Sequence, residues 1–190
     1  MCLYIIGEMN MNKKEIVEFA DKLTSEAYHF PRWQDFPTVD LYMDQVIELV
    51  NNYLSEFMPF SENISITPAM INNYVKSKII PSPVKKRYSR VHIAYIIIVC
   101  VLKQTFSFAV IQKIIHADDS EENIIKLYDT FAQTQEIAMK NSIDNIKNAI
   151  VNDNEEFIMS ILSSVNIYKN LAERIVYENI KPKVIKHTDE

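Results

Sequence analysis

Residues 66–115 read ITPAMINNYVKSKIIPSPVKKRYSRVHIAYIIIVCVLKQTFSFAVIQKII. Thr67 followed by Pro68 marks a helix start, because a threonine hydroxyl accepts an otherwise orphaned N–H and proline's fixed φ suits the first helical position. Met70, Ile71 and Tyr74 then fall on one face. The helix is expected to stop near Lys78 or Ile79, since Pro81 and Pro83 cannot continue it. Residues 80–87 become a short basic loop or rudimentary wing. Ser89 is expected to cap the next helix, which buries the apolar run 93–102. Its β-branched content makes a strand the competing reading, but no turn chemistry closes the run. Ser107 caps a short helix with Phe108, Ile111, Ile114 and Ile115 inward.

The same reading extends outward in both directions. Residues 11–30 form a first helix, with Ile16, Phe19, Ala20 and Leu23 at helical spacing and Asn10 or Asn12 as cap. Residues 31–37, PRWQDFP, are an extended connector whose two prolines bracket the only tryptophan, and Trp33 is expected to pin it to the body. A second helix spans 40–58, with Met43, Val46, Ile47, Val50 and Leu54 on one stripe, and a loop comes next at 59–66. Asp118 and Asp119 suit the positive end of a further helix. Residues 154–179 read as one long helix carrying Phe157, Ile161, Val165, Tyr168, Ala172 and Ile175 on a stripe. The chain divides into residues 1–38, 39–117 and 118–190, with a single integrated core as the alternative. Residues 1–8 are apolar, and Met9 and Met11 both precede the first clear helix, so either is a candidate true start.

Composition narrows the class. The 190 residues are 48% hydrophobic and 24% charged, which suits a globular protein, and they contain one glycine, Gly7. A dinucleotide fingerprint, a P-loop or a glycine-rich kinase loop needs several glycines close together. Tight hairpins lean on glycine as well, which argues against a sandwich or barrel. The expected class is all-α. Cys2 and Cys100 build neither a disulfide framework nor a zinc site, and Cys100 reads as a small buried hydrophobe. The first seven residues lack the basic and apolar regions of a signal peptide, and run 93–102 is half the ~20 residues that span a bilayer. A cytoplasmic protein without membrane association is expected.

Charge is unevenly placed. No Asp or Glu occurs between Asn63 and Ala117, where Lys76, Lys78, Lys85, Lys86, Arg87, Arg90, Lys103 and Lys113 all lie. The remainder holds 12 basic and all 25 acidic residues, so a net charge of -5 conceals a positive island. A phosphate backbone selects such an island, because each neutralised phosphate releases counterions. The alternative is a solvated basic face that partners the acidic remainder within the protein or in a dimer.

Within this window, Met70-Ile71-Asn72-Asn73-Tyr74-Val75-Lys76-Ser77-Lys78-Ile79-Ile80-Pro81 resembles the second helix of the MerR family of transcription regulators together with the segment that leaves it. Lys86-Arg87-Tyr88 resembles the end of that family's wing, and residues 105–111 resemble its later G-F-S-L-x-E-I pattern. Asn72 stands where the family carries arginine, Val75 where it carries an acid, and Lys78 where it carries the helix-ending glycine. The whole chain resembles an uncharacterised bacterial family of domain-of-unknown-function proteins described as MerR-like, on Pro31-Arg32-Trp33, residues 41–45, residues 70–76 and residues 86–89. The resemblance implies a helix-turn-helix core with a short basic wing, extended by helices at both ends. It implies Tyr74, Lys85, Lys86 and Arg87 on phosphates and Asn72 or Asn73 on bases, asparagine being suited to adenine. The alternative places Tyr74 against Ile71 and Ile93, with both asparagines merely exposed.

Enzyme readings find little. A di-iron site needs two Glu-x-x-His pairs, and only residues 26–29 supply one. His92, His116 and His187 lack partners at metal-ligand spacing, and His92 reads as a hydrogen-bonded or DNA-proximal group. Acidic residues 118–122 read as a solvated helical turn, and no GxSxG elbow occurs. The function expected is therefore a DNA-binding transcription regulator, not an enzyme, requiring no cofactor. Its binding residues are Thr67, Asn72, Asn73, Tyr74, Lys76, Lys78, Lys85, Lys86, Arg87 and Arg90. The partners expected are double-stranded DNA, a second copy forming a homodimer, and an unknown effector. The competing function is a helical protein-interaction or small-molecule-sensing module without DNA binding.

Overall fold

The structure, a computed structural model, describes residues 29–57, 65–115, 120–149 and 154–179, with positions 14, 15, 18 and 21. Among these the architecture is all-helical: a short 3-10 turn at Trp33–Asp35, then α1 (Met43–Phe57), α2 (Pro68–Lys76), α3 (Arg90–Lys103), α4 (Phe108–Ile114), α5 (Glu121–Ala149) and α6 (Asn154–Asn179). Two isolated antiparallel bridges, Leu41 with Tyr88 and Val84 with Arg87, are the extended pairings among the described residues.

The centre is α3. Every residue from His92 to Cys100 is buried, which a helix apolar on all sides requires. Helices α1, α4 and α5 pack around it. From α1 come Val46, Val50 and Leu54, and from α5 come Ile124, Tyr128 and Ala132, each set at spacing i, i+4, i+8 along one face. Each fully buried isoleucine of α3 contributes roughly 1.5–3 kcal/mol. One continuous core joins Phe30, Trp33 and Phe36 of the connector to Ala132 of α5.

The connector is held from two sides. On α5, Glu136 accepts the Phe30 N–H at 2.8 Å and Asp129 accepts the Trp33 N–H at 3.1 Å. Glu136 also pairs with Arg32 and His29. Phe36 packs on Tyr128 at 4.8 Å between ring centroids. From α3, the Arg90 guanidinium donates to the Phe36 and Pro37 carbonyls at 3.0–3.2 Å. Trp33 is buried, as the bracketing prolines led one to expect.

Several boundaries differ from the sequence reading. The first helix, 11–30, lies mostly outside the described residues; His29 and Phe30 are not helical, and for Phe30 the cause is Pro31, which drives the residue before it out of the α region. Helix α1 begins at Met43 rather than 40, since Leu41 exchanges two 2.9 Å backbone bonds with Tyr88 and must stay extended. At the start of α5 the Ser120 hydroxyl accepts the Asn123 N–H at 3.3 Å; Asp118 and Asp119, expected at the positive end of this helix, lie outside the described residues. On α4, Val110 is buried and Ile114 is exposed. The chain leaves helical geometry at Ile115 (φ -110, ψ 127), which turns that side chain, rather than Ile114, into the core.

Among the described residues no helix is long and apolar enough to cross a membrane. The long α6 has the bounds expected of it and rests on α4, where the Lys113 ammonium lies 4.8 Å from the Tyr177 ring centroid. Its stripe is not covered: Ile161, Val165, Tyr168 and Ile175 are all exposed.

Candidate nucleic-acid interface

The Thr67 hydroxyl accepts the Met70 N–H at 3.3 Å, so α2 is capped as the Thr-Pro pair dictates. Asn51 of α1 fixes where it starts, accepting the Ile66 N–H at 2.7 Å and donating to the Ile66 carbonyl at 3.5 Å. Ile71 and Tyr74 face the core. Asn72, Asn73 and Lys76 are exposed, and their spacing places them on adjoining faces of α2, away from that core.

Tyr74 is a core residue. Its ring meets Phe108 edge-on at 5.6 Å and its hydroxyl bonds the Cys100 sulfur. Burial drives the phenol's pKa upward, and burial likewise pushes the Cys100 thiol up to about 12. A phosphate contact from this hydroxyl would mean leaving the core. The sequence alternative, packing inside, describes its placement.

Beyond α2 the chain turns through Lys78, whose φ is 54°. The Ile79 N–H donates to the Tyr74 carbonyl and the Lys78 N–H to the Val75 carbonyl, both at 3.0 Å. That pair of bonds is a Schellman end, which places one residue in the left-handed region favoured by glycine. Gln112 of α4 donates to the Ser77 carbonyl at 2.6 Å and satisfies one more exposed end of the helix.

Residues 84–87 close a two-residue reverse turn. The Arg87 N–H donates to the Val84 carbonyl at 2.9 Å, and both central residues are left-handed, Lys85 at φ 50° and Lys86 at φ 61°. Such turns normally take Asn-Gly, and a side-chain-bearing residue held there costs about 1–2 kcal/mol. The scarcity of glycine argues against a strand-rich sandwich or barrel; this single two-residue turn forms without glycine, with lysines at both left-handed positions.

The arginines differ from the lysines. Arg87 donates to the Asp40 carbonyl at 3.2 Å and the Tyr42 hydroxyl at 2.7 Å, with its guanidinium 3.8 Å above the Tyr42 ring. Arg90 is spent on the connector carbonyls. Lys76, Lys78, Lys85 and Lys86 are exposed. The ion pairs among the described residues, which join Lys14, His29, Arg32, Lys147, Lys169 and Arg174 to carboxylates, include none of the four.

Below the turn, His92 is buried. Its Nδ1 accepts the Ser89 N–H at 3.0 Å, which leaves the proton of the neutral ring on Nε2. Tyr88 stands edge-on to it at 5.4 Å. Burial lowers its pKa, against the opposing pull of the Ser82 backbone and Asp40. His92 thus organises the base of the turn from inside. Among the described residues no group of three or more His, Cys, Asp or Glu could hold a metal ion; His116, His187 and Cys2 lie outside them.

Sequence reasoning missed Tyr42 and Gln112. Tyr42 carried a faint signal, an aromatic just before a helix with Gln45 three residues on, and the Gln45 side chain does accept its N–H at 3.0 Å. Gln112 carried none.

Residues 31–131 match a family described as a domain of unknown function, DUF1836. The chain belongs to this family. The matched region takes in the connector, helices α1 to α4 and the first part of α5, so the basic segment lies inside it and α6 outside. It is shorter than the whole-chain resemblance read from the sequence. No curated protein and no solved structure matches the chain.

Proposed function

We propose that this DUF1836 protein is a DNA-binding transcription regulator whose contact surface is the exposed face of α2 together with the Lys85–Lys86 turn. One observation carries the reading. Two adjacent lysines hold both strained positions of a tight turn, with no carboxylate among the described residues pairing with either. Local stability would favour Asn-Gly there, and strain that local structure does not explain clusters at functional sites. A polyanion explains it, because two adjoining cations at the tip of a rigid turn can neutralise successive phosphates.

In this reading the fold is MerR-like. Helices α1 and α2 form the helix-turn-helix, with α2 in the major groove, and the turn at 84–87 is a minimal wing. Asn72 and Asn73 face bases and favour adenine. Thr67, Lys76 and Lys78 flank them, and Lys85 and Lys86 hold phosphates. Tyr74 and Arg90 leave the contact set, and Arg87 becomes an anchor.

The exposed stripe on α6 supplies the homodimer. Ile161, Leu162, Val165, Tyr168 and Leu171 are all exposed along one helix, and together they leave on the order of several hundred Å² of apolar surface uncovered, a size at which a patch is often functional. The same stripe suits the competing reading, a helical interaction module without DNA binding. Binding to duplex DNA at low salt separates the two. Changing both Lys85 and Lys86 to Ala should weaken it strongly; unchanged affinity would leave only the interaction module.

A further inference from the structure

Resting on the polyanion reading, we infer that Tyr42 is a positioning residue of the interface, acting through Arg87 to aim Lys85 and Lys86. A two-residue turn is a short lever, and its direction depends on what holds its base. One limb is tied by the reciprocal 2.9 Å bonds between Leu41 and Tyr88. The other tie is Arg87. Its guanidinium lies on the Tyr42 ring at 3.8 Å and bonds the Tyr42 hydroxyl at 2.7 Å and the Asp40 carbonyl at 3.2 Å.

Tyr42 is itself fixed from behind. Its backbone N–H is taken by Gln45 and its carbonyl accepts the Val46 N–H at 3.0 Å, so it stands immediately before α1 at the position that starts the helix. Tyr42 is about half exposed, at 52%. It contributes little to the core, and a structural role alone gives no reason for an aromatic there. Cation–π contact with a guanidinium is a reason, and it orders a side chain that would otherwise sample many rotamers. Arg87 uses two of its five N–H donors in this way and keeps its charge beside the lysines. The consequence is a preorganised pair of cations, whose ordering cost is met on folding rather than on binding.

The test is duplex binding as a function of salt for the full chain, with wild type, Tyr42→Ala, Tyr42→Leu, Lys85→Ala/Lys86→Ala, and the triple variant combining Tyr42→Ala with both lysine changes. Each lost phosphate contact lowers the slope of log K against log salt by about one. Both Tyr42 variants should lower it by about two, as the lysine pair does, and the triple variant should fall no further. Thermal melts should stay within a few degrees of wild type, because the ring lies outside the core. If the lysine pair lowers the slope while the Tyr42 variants keep the wild-type slope, Tyr42 does not position the turn. An additive loss in the triple variant overturns the inference as well. If the lysine pair itself changes nothing, the polyanion reading fails first and this inference with it.

Discussion

The Ile79 amide donates to the Tyr74 carbonyl at 3.0 Å, and that single bond obliges the intervening Lys78 to adopt φ 54°. The helix end is thereby sealed and Ile79 is delivered fully buried into the core. Lysine is a poor choice for such a position. Lys78→Gly should raise stability by about 0.5–1 kcal/mol, strain relief exceeding the extra chain entropy that glycine brings. The midpoint of urea unfolding checks this, and a lower midpoint would contradict the geometry. Duplex affinity of the same variant should fall, since it removes one exposed cation.

Arg90 is predicted to be structural. Its guanidinium holds the Phe36 and Pro37 carbonyls, and hydrogen bonds from charged donors contribute about 1.5–3 kcal/mol. Arg90→Ala should therefore lower unfolding free energy by about 2–3 kcal/mol. The salt slope of DNA binding should be unchanged for the fraction that remains folded. A normal melt with a reduced slope would return Arg90 to the contact surface.

His92 predicts a pH dependence. Its folded pKa lies below the ordinary 6.5, because burial disfavours the imidazolium, and Nδ1 is already occupied as an acceptor from Ser89. The unfolded chain binds the proton more readily, so this contribution is present above about pH 6.5 and is lost as pH falls below it. Unfolding midpoints at pH 7.5 and 5.5 should differ more for wild type than for His92→Gln. Equal differences would remove His92 as the cause.

Self-association is predicted to run through α6. Tyr168 is 73% exposed and Leu162 57%, and a stable interface needs roughly 800 Å² from each partner. Sedimentation should show a dimer for wild type and a monomer for Leu162→Glu/Tyr168→Glu at the same concentration. A monomeric wild type would leave the stripe to some other occupant.

Much of the fold was legible because periodicity and capping are local. Thr67-Pro68, Ser89 and the apolar run 93–102 gave α2 and α3 nearly to the residue. What escaped depends on distant partners. Nothing near Leu41 says that Tyr88 will hold it extended, so α1 begins late. Nothing in Arg87 or Arg90 distinguishes a surface cation from one whose donors are taken by carbonyls about 50 residues away in the chain. The lysines were easier, since a long side chain with no acid nearby in sequence tends to stay in solvent. The left-handed turn at Lys85 and Lys86 runs against a rule that ordinarily holds, and that conflict between local preference and observed geometry is what the proposed interface rests on.

The most direct test of the central claim replaces Lys85-Lys86 with the pair that the turn itself prefers, Lys85→Asn/Lys86→Gly, and measures binding to random-sequence duplex DNA at two salt concentrations. The account predicts a protein at least as stable as wild type, with weaker binding and a salt slope smaller by about two. A stabilised variant that binds duplex as tightly as wild type, with the same slope, would contradict it.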